Sequence, residues 1–242
     1  LNLASLARGL GDVFFPPVCV GCRGLVEEGP FRHLCGRCGR LLALIRAPLC
    51  PTCGHPFAGA VAEEGACPHC ADLAPAFGSS RSAVLFRGAG RALLLELKYH
   101  RGRFVLGDLE EVFRRSPDLL AHVRDAVLVP VPLHPRKRRE RGYNQGALVA
   151  SALARAAGGR TRVEPILRRE IDTPTQTVLD RRERAANLAG AFALAGSRRP
   201  DPGLRYVIVD DVFTTGSTLD GCARVLRRSG CPDVDAATYG RG

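Results

Sequence analysis

The sequence predicts an α/β protein in which a mostly parallel sheet flanked by helices follows a small cysteine-rich module. Three observations carry this. Eight of the ten cysteines fall between positions 19 and 70, in four CxxC pairs. From Ser79 onward, apolar runs of strand length alternate with amphipathic stretches of helix length, the pattern of parallel strands joined by helical crossovers. The run Tyr206 to Val209 is an apolar strand that ends on two acids, a turn of small hydroxylated residues and a further helix. Pro75, Gly78 and two serines cluster where the composition changes, so residues 1–77 are expected to form the module and residues 78–242 the α/β domain.

The elements follow in chain order. Arg91 to His100 reads as a helix, and Asp108 to Arg115 as another with Asp108 at its start. Ala126 to Val131 is a strand of the fully buried kind; a polar, basic turn follows, then a helix from Asn144 to Ala157 that ends at Gly158-Gly159. Val163 to Leu167 reads as a second short strand. The charged segment Arg168 to Asn187 has no apolar period, and Ala191 to Leu194 is a short strand. After the strand Tyr206 to Val209, a helix runs from Ser217 to Ser229 and closes on Gly230, and Val234 to Tyr239 is the last strand.

Composition narrows the function classes. With 242 residues and 45% hydrophobic content, the chain holds one sizeable domain plus a small module. No apolar run reaches membrane-spanning length, and Leu1 to Leu10 is too short and too weakly apolar for a secretory signal, which predicts a cytoplasmic protein without a membrane span. A net charge of +11 favours a polyanionic partner, either nucleic acid or a phosphorylated small molecule. Lys98 and Lys137 are the only lysines, so the charge is nearly all arginine, which grips phosphate bidentately.

The cysteine pairs Cys19/Cys22, Cys35/Cys38, Cys50/Cys53 and Cys67/Cys70 are separated by 12, 11 and 13 residues. A two-residue spacing lets a knuckle turn aim both thiolates at one ion, and two knuckles complete a tetrahedral zinc site, so four knuckles suit two structural Zn2+ ions. Disulfides are disfavoured in a cytoplasmic setting, a redox CxxC needs no four copies, and an iron-sulfur cluster is the remaining competitor. Sequential pairing of the knuckles is the simplest arrangement and crossed pairing is compatible with the same spacing. His33, His55 and His69 are alternative ligands. A site closed by four thiolates has no open position, which assigns it stability and partner binding rather than catalysis.

The stretch Tyr206 to Thr218 carries the chemistry. A buried strand delivers Asp210 and Asp211 to its carboxyl end, where open α/β sheets place their ligands. Thr214, Thr215, Gly216, Ser217 and Thr218 then enter a helix, so backbone amides, hydroxyls and the positive helix end converge on one phosphate. The two acids would repel that phosphate and must therefore serve another part of the ligand. Vicinal sugar hydroxyls are natural donors to them, and carboxylates also support positive charge developing on a sugar ring. The bland reading is a solvated acidic pair beside an ordinary turn, but the apolar strand, the two acids and the run TTGST together are far more specific than a lone glycine-rich motif.

This stretch resembles the phosphoribosyl pyrophosphate signature of type I phosphoribosyltransferases. The wider chain resembles the ComF family, linked to DNA uptake in competence, in which a double zinc ribbon precedes a phosphoribosyltransferase-like domain. The matching segments are the four CxxC pairs, Leu97-Lys98-Tyr99, Val129 to His134, Arg141 to Gln145, Thr175-Gln-Thr177 with Arg184 and Asn187, and the signature itself. The resemblance implies phosphoribosyl pyrophosphate as ligand, Mg2+ bridging its phosphate oxygens, and catalytic roles for Asp210 and Asp211. It also implies that His134, Arg136 and Arg141, in a run with five basic residues in six positions, face the pyrophosphate. Arg168 to Asn187 takes the place of a loop that closes over substrate, with Arg181, Arg182 and Arg184 as partners of the leaving group. Residues 79–125, where Lys98, Tyr99 and Arg101 stand out, would select the acceptor. A non-catalytic accessory for DNA uptake that binds single-stranded DNA or DNA-processing proteins through the zinc module and the basic run is the competing expectation.

Overall fold

The computed structural model describes residues 16–27, 29–57, 67–70, 74–99, 102–171, 190–196 and 199–242. Among the described residues of the module there is one short helix, α1 (Gly36–Arg40), begun by Cys35 as its cap. Strand β1 (Ser80–Leu85) leads into α2 (Gly88–Tyr99), a 3-10 turn at Arg103–Val105, α3 (Leu106–Arg114) and α4 (Pro117–Val123). Then come β2 (Val127–Pro130), α5 (Pro135–Arg141), α6 (Gln145–Ala157), β3 (Arg162–Val163), β4 (Leu167–Arg169) and β5 (Phe192–Leu194). The last three elements are β6 (Tyr206–Phe213), α7 (Ser217–Arg228) and β7 (Val234–Arg241).

Five strands form a wholly parallel sheet in the order β1-β7-β6-β2-β3, and β4 and β5 form a separate antiparallel pair. Strand alternation divides the core into two layers. Leu128, Val207, Val209 and Tyr239 face the side covered by α2, α3, α4 and α6, whereas Val127, Val129, Tyr206 and Ile208 face α7 and the β4–β5 pair. No helix among the described residues is long and apolar enough to cross a membrane.

The cysteine-rich module is built into this core. Cys19, Val20, Phe31 and Leu34 pack with Leu93, Leu97 and Leu109, while the second set of cysteines packs with Phe77 and Phe213 on the other side. Between the two sets, the Leu85 amide donates to the Ala43 carbonyl at 2.8 Å and the Ile45 amide to the Ala83 carbonyl at 2.9 Å. The module thereby covers the free edge of β1, which would otherwise offer unpaired backbone to another chain.

Several boundaries differ from the sequence expectation for identifiable reasons. The expected strand Val163 to Leu167 is two strands in two sheets, because Pro165 interrupts the run and has no amide to donate. The expected basic turn is the helix α5, with His134 as its cap, Pro135 at its first position and Gly142 at φ 79° ending it. The strand Tyr206 to Val209 continues to Phe213, so both acids lie within it. Asp108 sits in the first turn of α3 rather than at its start.

Candidate functional site

The four knuckles pair sequentially. Cys19, Cys22, Cys35 and Cys38 form one set and Cys50, Cys53, Cys67 and Cys70 the other, with all sulfurs of a set within 4.8 Å of one another. Four sulfurs about 2.3 Å from a tetrahedral Zn2+ stand about 3.8 Å apart. The observed separations are 3.7 Å for Cys22 to Cys35, 3.5 Å for Cys50 to Cys70 and 3.8 Å for Cys53 to Cys67, which fit that geometry and are far beyond a disulfide bond of about 2 Å. Burial pushes the Cys19 thiol up, but backbone amides at Cys35, Cys22 and Gly21 outweigh it and bring it down to about 7, whereas burial and the neighbouring cysteines push Cys38 up to about 12. Cys50 behaves like Cys19, with burial opposed by the Cys53 and Thr52 amides and the Cys70 side chain, and ends at about 7. The two four-cysteine sites support structural zinc. Among the described residues, no histidine joins either set. Instead, the His33 ring Nδ1 lies 2.7 Å from Asp108 Oδ2 and the His33 amide donates to Asp108 Oδ1 at 2.9 Å, clasping the first site to α3.

The turn at residues 214–216 joins β6 to α7. Gly216, at φ 79°, is the residue before α7, and a Cβ there would come within 2.9 Å of the Phe213 ring, so only glycine fits the bend. The Thr215 and Ser217 hydroxyls lie 3.0 Å apart. Among the described residues, no acceptor takes the amide hydrogens of Thr214, Thr215 or Gly216, which stand at the positive end of α7. Asp210 and residues 212 to 219 line a small pocket around this turn.

Because β6 runs through both acids, they leave the strand on opposite sides. Asp210 shares the side of α7 and lines the pocket. Burial and the neighbouring Asp211 carboxylate push the Asp210 carboxyl up to about 7, against the lowering effects of the Asp211 amide and Lys98. Asp211 is 7% exposed and turns to the other layer. There its Oδ2 lies 2.8 Å from Lys98 Nζ on α2 and 3.5 Å from Gln145 Nε2 on α6. Gln145 is held by its neighbours: the Asn144 side chain caps α6 through the Gly146 amide and donates to the Val131 carbonyl, and the Tyr143 hydroxyl donates to the Leu97 carbonyl. Lys98, expected at an acceptor hood, is thus the counter-ion of an acid, and Gln145 joins it through a motif to which the sequence alone attaches no role.

His134, Arg136 and Arg141 do not line the pocket. They lie on or beside α5, which buries none of its residues, and Arg136 pairs with Glu140 at 3.1 Å. Arg181, Arg182 and Arg184 lie outside the described residues, as do Thr175 to Thr177 and Asn187. Arg241 carries no motif that would single it out in the sequence, yet it is buried at the end of β7 against the second cysteine set.

The fold and site define a class: a double zinc ribbon joined to a mostly parallel, helix-flanked sheet with an anion-type turn at the carboxyl end of its central strand. A double zinc ribbon domain model matches residues 10–71. The chain is 35% identical over 226 residues to the DNA utilization protein YhgH of Salmonella typhimurium, covering 90% of this chain and 94% of that one. It is 28% identical to competence protein F of Haemophilus influenzae, over 91% and 95% of the two chains. Competence protein ComFC of Bacillus subtilis is 25% identical over 86% of this chain and 83% of its own. The chain belongs to the ComF family of competence and DNA utilization proteins.

Proposed function

We propose that this chain binds phosphoribosyl pyrophosphate in a type I phosphoribosyltransferase-like domain, residues 78–242, and transfers its phosphoribosyl group to an acceptor with release of pyrophosphate. The observation that supports this is the open row of amides at Thr214, Thr215 and Gly216, facing a pocket that Asp210 also lines. The 5-phosphate takes the amides, and the ring hydroxyls donate to Asp210. In the reaction the bond from the anomeric carbon to the pyrophosphate oxygen breaks, the electron pair leaves with pyrophosphate, and the acceptor supplies the new bond. The Asp210 carboxylate then opposes the positive charge that builds on the ring, while Asp211, on the other side of β6 and paired with Lys98, supports the strand rather than the ring. Mg2+ would neutralise the leaving group. It would come as a companion of the ligand, held by the ligand's phosphate oxygens. Arg181, Arg182 and Arg184 belong to this reading as partners of the pyrophosphate.

Calorimetric titration with phosphoribosyl pyrophosphate, with and without Mg2+, tests it. Binding is expected in the wild type and its collapse in a Thr215→Ala/Gly216→Val variant; equal affinity in the two proteins refutes the site.

A second reading rests on α5, whose Arg136, Arg138 and Arg139 are exposed, and on the names of the YhgH relatives. Here the protein is an accessory to DNA uptake that holds single-stranded DNA or a DNA-processing partner through this basic face. Single-strand binding that weakens with salt and survives Asp210→Ala/Asp211→Ala favours it; pyrophosphate release in a screen of nucleobases and amines favours the first.

A further inference from the structure

Arg241 is 2% exposed and, among the described residues, has no carboxylate against it. Its Nη1 donates to the Cys53 carbonyl at 2.7 Å and its Nη2 to Cys53 Sγ at 3.2 Å, and its Nε lies 3.1 Å from His55 Nδ1. A buried guanidinium needs a compensating negative charge close by. The four thiolates of the second site supply one, because together with Zn2+ they retain net negative charge. Its other face covers the phosphate-type turn's support: the guanidinium carbon stands 4.4 Å from the centroid of the Phe213 ring. That ring is 1% exposed and lies directly beneath Gly216, where an added Cβ would meet it at 2.9 Å. The next residue completes the connection, since the Gly242 amide donates to the Phe213 carbonyl at 2.9 Å, immediately before Thr214.

We infer that Arg241 is a positioning residue that couples the second zinc site to the phosphate turn through Phe213, so that metal at Cys50, Cys53, Cys67 and Cys70 and a phosphorylated sugar at Thr214 to Thr218 strengthen each other's binding. The second zinc ribbon is, on this account, part of the apparatus that shapes the ligand site. The first ribbon is instead clasped to α3 through His33 and Asp108. The inference rests on the phosphate reading of the turn. It adds that the turn's conformation depends on a thiolate, a guanidinium and a ring drawn from three separate parts of the chain.

Linkage makes the coupling measurable from both ends, because two ligands that assist one another do so by the same factor. The probe is ribose 5-phosphate, and the protein is the full zinc-loaded chain. Calorimetry reads sugar phosphate affinity, and equilibrium competition with a chelator reads the two zinc affinities with and without the sugar phosphate. In the wild type, ribose 5-phosphate is expected to tighten one of the two zinc sites by about tenfold. Arg241→Lys keeps a charge for the thiolates but loses the planar face over the ring. It is expected to retain both zinc ions, bind ribose 5-phosphate about tenfold more weakly, and lose the effect of the sugar on zinc. If that variant does not fold, Phe213→Leu carries the same expectation with the guanidinium and thiolates untouched. Wild-type protein that binds ribose 5-phosphate with no change in either zinc affinity overturns the coupling, as does either variant binding the sugar phosphate as tightly as the wild type. Wild-type protein that binds no ribose 5-phosphate at all overturns the phosphate reading of the turn, and this inference with it.

Discussion

Lys98 Nζ stands 2.8 Å from Asp211 Oδ2, joining the last turn of α2 to the central strand of the sheet. Both side chains are largely out of solvent, and the Gln145 amide also reaches this carboxylate oxygen, at 3.5 Å. Removing one partner of the ion pair leaves the other charge poorly compensated in the interior. Lys98→Met should destabilise the protein by about 3 kcal/mol. Adding Asp211→Asn should recover most of that loss, and a double-mutant cycle from urea unfolding of zinc-loaded protein measures it. Additive effects would show that the pair is not coupled.

Asp108 holds the first zinc site against α3. Its carboxylate meets both the ring and the amide of His33 and is almost wholly buried. Asp108→Ala removes both contacts and leaves the His33 donors without their acceptor, at an expected cost of about 3 kcal/mol. The loss should appear as a lower thermal midpoint together with faster release of one zinc ion of the two, read with a chromophoric chelator. An unchanged release profile would mean that the clasp does not support the metal site.

The proton on Asp210 sets a pH dependence. The folded chain holds that proton up to about 7, mainly through burial and the Asp211 carboxylate, whereas the unfolded chain releases it in the usual carboxylate range. The folded state therefore binds the extra proton between those values. The stability this group contributes is fully present below the unfolded pKa and declines as pH rises toward 7. Zinc thiolates titrate as well, so the quantity to measure is the difference between wild type and Asp210→Asn. The wild type should lose stability relative to the variant as pH rises from about 5 to about 7. Parallel curves would place the Asp210 pKa near its ordinary value.

Gly54 joins the second zinc site to the edge of the sheet. It has φ +67°, and a Cβ there would lie 2.3 Å from the Ser80 carbonyl oxygen, a backbone atom that cannot swing aside. Gly54→Ala should cost about 3 kcal/mol, combining a left-handed backbone with overpacking. Chemical denaturation measures the cost, and a loss below about 0.5 kcal/mol would mean that the module shifts freely against β1.

The parts of the fold that are legible in the sequence are those written in short-range pattern. The apolar runs of β2, β6 and β7 and the amphipathic stretches of α6 and α7 declare themselves through periodicity. Helix α5 does not, because it buries none of its residues and so has no apolar face to reveal it. Strands β3 and β4 look like one strand in the sequence because Val163, Ile166 and Leu167 lie within five positions of one another, although Pro165 between them cannot continue a ladder.

The knuckles and the phosphate-type turn are likewise local. Two-residue cysteine spacing and the order strand, acids, TTGST, helix determine their own geometry within about a dozen residues, so the sequence alone determined that metal ligands and a glycine turn between strand and helix exist. Tertiary structure decided which knuckles share an ion, on which sides of β6 the two acids lie, and which groups answer them. Lys98 meets Asp211, Gln145 joins them from α6, and Arg241 reaches Cys53 across 188 positions of chain. Such partnerships are chosen by packing, in which a buried charge must find its counter-charge wherever the folded chain brings one, and no spacing along the sequence records that choice.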